Sequence, residues 1–116
     1  MATFVLIHGA WEAGWAWDWM VPYLRDAGHE VHAPSLTGLG ARSHLLTPEV
    51  NLETHIEDIL GIMKWGRLEN VTLVGHSYGG AVAALLLAEG SWAGPTILLA
   101  PAFERLTALV QDAAHG

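Results

Sequence analysis

The stretch Val71-Thr72-Leu73-Val74-Gly75-His76-Ser77-Tyr78-Gly79-Gly80, continued by Ala81 to Glu89, decides the fold. Its first four residues form a continuous apolar run rather than an alternating one. Such a run suits a strand buried on both faces of a parallel sheet. From Tyr78 to Glu89, Ala and Leu recur on nearly every side, which predicts a buried helix. Between strand and helix lies G-x-S-x-G, with Ser77 at its centre. A serine on so tight a strand-to-helix turn is held in strained backbone geometry, and Gly75 and Gly79 must leave room beside it. The helix N-terminus just behind favours negative charge developing near the serine. The bland alternative is a glycine-rich turn with an idle serine. The two correct flanks make Ser77 a candidate nucleophile.

Working outward, two more continuous runs read as buried strands, Phe4-Val5-Leu6-Ile7 and Thr96-Ile97-Leu98-Leu99. A shorter extended piece, Glu30-Val31-His32-Ala33, precedes Pro34, which pushes Ala33 away from helical geometry. Helical patterns fill the gaps. Trp17 to Ala27 places Trp17, Met20, Val21 and Leu24 on one face, with Pro22 in its first turns. Asn51 to Trp65 carries Leu52, Ile56, Ile59, Leu60 and Met63 at helical spacing, with Asn51 as the N-cap candidate. Phe103, Leu106, Leu109, Val110 and Ala113 predict a last amphipathic helix. Strands alternating with helices predict an α/β fold with right-handed crossovers. We expect three layers: a mostly parallel sheet of about four strands in the order 2-1-3-4, with helices on both faces. Residues 1–116 form one domain. Ser35 to Val50 is a long loop, the kind that compact domains use for function.

A second motif, His8-Gly9-Ala10-Trp11, follows the first strand directly. In the order 2-1-3-4, strands one and three are neighbours, and the ligand crevice lies where strand order reverses. That topology brings the His8-Gly9-Ala10 loop beside Ser77. The backbone N–H groups of Ala10 and Tyr78 then form a candidate oxyanion hole. Gly9, Trp11 and His76 are the candidate substrate-binding residues. His8 is expected to prop the loop by hydrogen bonding, and His55 to lie on a helix surface or seam. Of the four clustered tryptophans, Trp11 is expected near the pocket, with Trp15, Trp17 and Trp19 structural.

Composition narrows the function classes. Net charge is −7, from 5 Lys and Arg against 12 Asp and Glu. That balance argues against binding nucleic acid or anionic membranes. The five basic residues, Arg25, Arg42, Lys64, Arg67 and Arg105, are scattered. The chain has no cysteine, so disulfides, thiolate metal sites and a cysteine nucleophile are excluded. No histidine pair has metal spacing, and neither a metal nor a cofactor is expected. The N-terminus lacks a basic n-region, and the longest apolar run, Ala81 to Ala88, is too short to span a bilayer. A cytoplasmic location is the default expectation. With 52% hydrophobic and 15% charged residues, the chain is apolar for its 116-residue length.

These residues resemble the α/β-hydrolase superfamily, and within it the small esterase and hydroxynitrile-lyase branch that includes plant methyl-ester esterases. The resemblance is carried by Phe4 to Trp11, Gly14-Trp15, Trp17, Ala27 to Val31, Ala33 to Gly40, Arg42 to Leu46, Asn51 to Ile56 and Val74 to Gly80. It implies Ser77 as nucleophile, Ala10 and Tyr78 as oxyanion donors, and a small ester as substrate. It also implies an acid and a histidine, which family members carry on further strands beyond the span of this chain, so both are expected to be missing here, with a base from another subunit or no base at all as alternatives to an in-chain one. After Ser77, Glu104 is the candidate acid and His115 the candidate base. Glu12 stands where relatives often carry a neutral residue or histidine, and is read here only as surface charge. The segment Ser91 to Gly116 fits the branch less well, with Gly94 to Pro101 similar to another branch. We therefore expect a truncated or chimeric half of the larger fold. The strand Thr96 to Leu99 then becomes an exposed apolar edge, which predicts a homodimer. The competing expectation is a self-associating hydrolase-like scaffold with little or no catalysis.

Overall fold

A computed structural model describes residues 1–99. The expected last helix, Phe103 to Ala113, lies outside the described residues, as do Glu104 and His115. Four strands, β1 (Thr3–Ile7), β2 (Glu30–His32), β3 (Val71–His76) and β4 (Thr96–Leu99), form one parallel sheet in the order β2-β1-β3-β4. Helices α1 (Val21–Asp26), α2 (Leu52–Trp65) and α3 (Tyr78–Ala88) connect them.

The pleat of β1 separates the two faces. Val5 and Ile7 join Leu73, Ile56, Ile59, Val82 and Leu86 in one core, which α2 and α3 cover. Leu6 faces the other way, into a smaller core with Trp17, Val31 and Val74, flanked by Met20, Val21 and Leu24 of the α1 segment. Successive strand side chains point to opposite faces, so a continuous apolar run fills both layers. Gly79 to Leu86 of α3 are all buried, as its all-round apolarity predicts.

Helix α2 begins where the sequence places it. Asn51 Oδ1 accepts the Thr54 N–H at 3.1 Å, and Thr54 Oγ1 accepts the Asn51 N–H at 3.1 Å, a reciprocal capping box. Helix α1 is shorter than the expected Trp17 to Ala27. Gly14–Trp17 is a 3-10 turn, and α1 starts at Val21 with proline in its first two positions. Pro22 has no N–H to give a carbonyl one turn earlier, so a helix cannot run through it unbroken. The long loop is likewise partly ordered, with a kinked 3-10 segment at Gly40–Leu45.

Candidate active site

Strand order reverses between β1 and β3, and Ile7 pairs with Gly75 in register. The chain therefore leaves both strands side by side, with His8-Gly9-Ala10 from one and His76-Ser77 from the other. A Cβ built on Gly9 would stand 3.4 Å from Ser77 Cβ. The two motifs, 68 positions apart in sequence, meet in space.

Ser77 has φ 55° and ψ −115°, between β3 and α3. A non-glycine residue at positive φ is strained, and such strain persists only where the surroundings enforce it. The enforcement is visible. A Cβ on Gly79 would run into the Ile7 and His8 carbonyls, and one on Gly75 into the Gly79 backbone. Leu99 of β4 accepts the Ser77 N–H at 3.1 Å. The carbonyl of Ser77 takes the Gly80 N–H at 2.9 Å. No acceptor among the described residues takes the Ala10 or Tyr78 N–H.

His8 props the loop, as expected. It is fully buried; Leu36 N–H donates to Nε2 at 3.0 Å, so Nδ1 carries the proton and donates to the Gly9 carbonyl at 2.8 Å. Burial pushes its pKa below the usual histidine value.

His55 proves to be a buried seam residue, 7% exposed. A carbonyl can only accept, so Nε2–H donates to Thr37 O at 2.9 Å, and Nδ1 receives the Tyr78 hydroxyl at 2.7 Å. Thr37 is fixed in turn by Asp58, which accepts its N–H and its hydroxyl, each at 2.7 Å. Arg42 stands 3.5 Å from the same carboxylate. This chain of bonds ties the long loop to the residue after the serine. Burial, with a smaller contribution from the Asp58 charge, pushes the Tyr78 phenol up to about 12. The phenol therefore remains a donor.

Sequence reasoning missed the role of Glu12. Its Oε1 accepts the Gly9 N–H at 2.8 Å and lies 3.4 Å from His76 Nδ1. Glu12 is thus a brace of the first loop rather than a bare surface charge. The signal was its position, three residues past Gly9, where a side-chain carboxylate can close a tight turn. Gly9 consequently brings a spoken-for amide, not a free donor, and a close approach in which a Cβ would collide with the Glu12 carboxylate. His76 touches Trp17 edge-on, with ring centroids 6.4 Å apart.

The tryptophans divide differently from expectation. Only Trp17 of the cluster is buried, whereas Trp11, Trp15 and Trp19 are exposed. The short 3-10 turn leaves too little helical surface to cover them. Trp11 is held at φ 62°. It lines a cleft of about 170 Å³ with Ala10, Leu39, His55 and Tyr78. Trp19 lines a second cleft of about 150 Å³ with Glu12, Ala16, Trp17, His76 and Leu99. Among the described residues, no helix is long and apolar enough to cross a membrane.

Residues 4–115 match the model of the alpha/beta hydrolase family. A carbendazim hydrolyzing esterase from Nocardioides sp. is 54% identical over 82 residues, which is 71% of this chain and 34% of that protein. Salicylic acid-binding protein 2 of Nicotiana tabacum is 33% identical over 114 residues, covering 97% of this chain and 42% of its own length. A pyrethroid hydrolase from Sphingobium faniae superposes with a TM-score of 0.71 at 33% identity, covering 86% of this chain and 40% of that one. This chain thus spans about a third to two fifths of the curated relatives it matches. By the family match, the sheet order and the strand-to-helix turn together, the chain belongs to the alpha/beta hydrolase family.

Proposed function

We propose that this chain carries the nucleophile and oxyanion hole of a carboxylesterase-like serine hydrolase for small esters. The observation that carries the reading is Ser77 at φ 55°, between β3 and α3, with the Gly9 loop against it. Ser77 Oγ forms a bond to the ester carbonyl carbon, and the carbonyl oxygen takes up the electron pair. The Ala10 and Tyr78 N–H groups, without acceptors among the described residues, receive that charge. Collapse breaks the bond to the alcohol oxygen, and the alcohol leaves with the serine proton. Water then adds to the acyl group, releases the acid and restores Ser77.

His8 and His55 have both ring nitrogens engaged, which leaves neither free to take that proton. The reading leaves the acid and histidine of the triad missing, with Glu104 and His115, outside the described residues, as the in-chain candidates for those roles. The apolar cleft beside Trp11 and Leu39 suits the hydrocarbon part of the ester. That relatives are named for esterase and methylesterase activity supports the reading.

A fluorophosphonate probe and an aryl-ester assay test it. We expect labelling and turnover in the parent and neither in Ser77→Ala. Equal rates for the two proteins overturn the proposal and leave a hydrolase-like scaffold without catalysis. Turnover unchanged in His115→Ala removes His115 as the base.

We also infer self-association through β4. Ile97 and Leu98 are 45% and 36% exposed on that strand, the outermost among the described residues, and apolar edge strands invite pairing. Light scattering should find a dimer that Ile97→Lys dissociates; a monomeric parent refutes this.

A further inference from the structure

The cleft bounded by Glu12, Ala16, Trp17, Trp19, His76 and Leu99 has no role in the chemistry above, although His76 adjoins the nucleophile and Glu12 braces the first loop. Its lining is apolar and aromatic except for one carboxylate and one imidazole. Oε1 of Glu12 is engaged by the Gly9 N–H and approached by His76, whereas Oε2 has no partner among the described residues. The Glu12 side chain is 32% exposed, open to a ligand yet partly withdrawn from water, where an opposite charge gains more than at a free surface. No Lys or Arg among the described residues lines the cleft. Among the described residues, Arg42 stands against Asp58 and Lys64 lies over Trp65. The net charge of −7 adds a long-range attraction for cations. Tryptophan rings favour a neighbouring cation through their quadrupole, and quaternary ammonium groups are held in aromatic surroundings for that reason.

We propose that this cleft binds a cationic nitrogen, and that the preferred esters carry an ammonium group in their acyl or alcohol part. The carboxylate supplies the countercharge and Trp17 and Trp19 the apolar, polarisable walls. Binding stands independently of the nucleophile, whereas the substrate preference rests on the proposed role of Ser77.

The test uses phenyltrimethylammonium chloride as ligand, with tert-butylbenzene as its uncharged isostere, and follows tryptophan fluorescence of the full chain. Glu12→Gln removes the charge but keeps an oxygen that can accept the Gly9 N–H. We expect the ammonium to bind the parent and Ser77→Ala alike, and Glu12→Gln about tenfold more weakly, the scale of a single partly desolvated cation contact. Equal binding by parent and Glu12→Gln overturns the proposal. Should Glu12→Gln fail to fold, the parent decides: equal affinity for the ammonium and its isostere overturns it, and preference for the ammonium supports it. For turnover, the ratio of kcat/KM on acetylthiocholine to that on 3,3-dimethylbutyl thioacetate should exceed one in the parent and fall about tenfold in Glu12→Gln. Glu12-dependent binding without hydrolysis of either ester upholds the cleft and refutes the nucleophile. Ser77-dependent hydrolysis with the same ratio in both proteins does the reverse.

Discussion

Replacing Tyr78 by Phe removes one oxygen and leaves every carbon in place. The hydroxyl donates to His55 Nδ1 at 2.7 Å, and His55 is 7% exposed, so its lone pair would be left without a donor inside the protein. A typical intramolecular hydrogen bond contributes about 0.5–1.5 kcal/mol net, and an orphaned buried acceptor costs about 1–3 kcal/mol. Tyr78 itself is only partly buried and lines a cleft, so water can reach the gap and relieve part of that cost. We therefore expect a loss of about 1–2 kcal/mol, the lower half of the range for an unpaired group. Urea unfolding should show a lower midpoint with an unchanged slope. His55→Leu will cost more, because it also strands the Thr37 carbonyl. Combined with Tyr78→Phe it should cost less than the sum by about 1 kcal/mol, the coupling expected of two residues in one hydrogen-bond network. A Tyr78→Phe midpoint equal to the parent's, with additive single-mutant effects, would refute the view that this bond anchors the elbow to α2.

Gly79→Ala drives a methyl into the Ile7 and His8 carbonyls, which are backbone of the central strand and its exit and cannot yield. Its cost should exceed about 3 kcal/mol, well beyond the ordinary effect of a point mutation, and a circular-dichroism melt will show it. Asn51→Ala removes the acceptor half of the α2 capping box and should cost about 1 kcal/mol in the same melt. His8 has a folded pKa below its unfolded value, so the unfolded chain binds more protons as the medium is acidified. Its contribution is thus fully present above the unfolded value near 6.5 and falls away as pH drops through the folded value. His8→Asn, in urea titrations from pH 8 to 5, should flatten that slope; an unchanged slope assigns the acid sensitivity to other groups.

The features legible in the sequence are those fixed over short spans. The apolar runs that became β1, β3 and β4 needed only four residues each, and Asn51 announced α2 because a cap and its partner lie three positions apart. Ser77 was legible because its strain needs glycine on either side. Contacts between distant side chains were not. The Tyr78–His55 bond spans 23 positions, and only the fold decides that these residues meet. A clue was nevertheless present: His55 lies three residues after Leu52 and four before Ile59, on the stripe of α2 that faces the core. Glu12 carried a weaker clue, and its clasp on Gly9 requires the turn to be formed first. The start of α1 was less legible: a proline suits the first turn of a helix, so Pro22 fixes that start at Val21 and not at Trp17.

The hydrogen bond from the Ser77 amide to Leu99 joins the strained residue to the last residue of β4. That amide can exchange its proton with deuterium only when the bond opens. Its exchange rate therefore counts how often the end of the outermost described strand lets go, read at the atom next to the chemistry. A ligand that settles β4 will slow the clock at position 77, and a mutation that frays β4 will quicken it, whether or not either touches the serine.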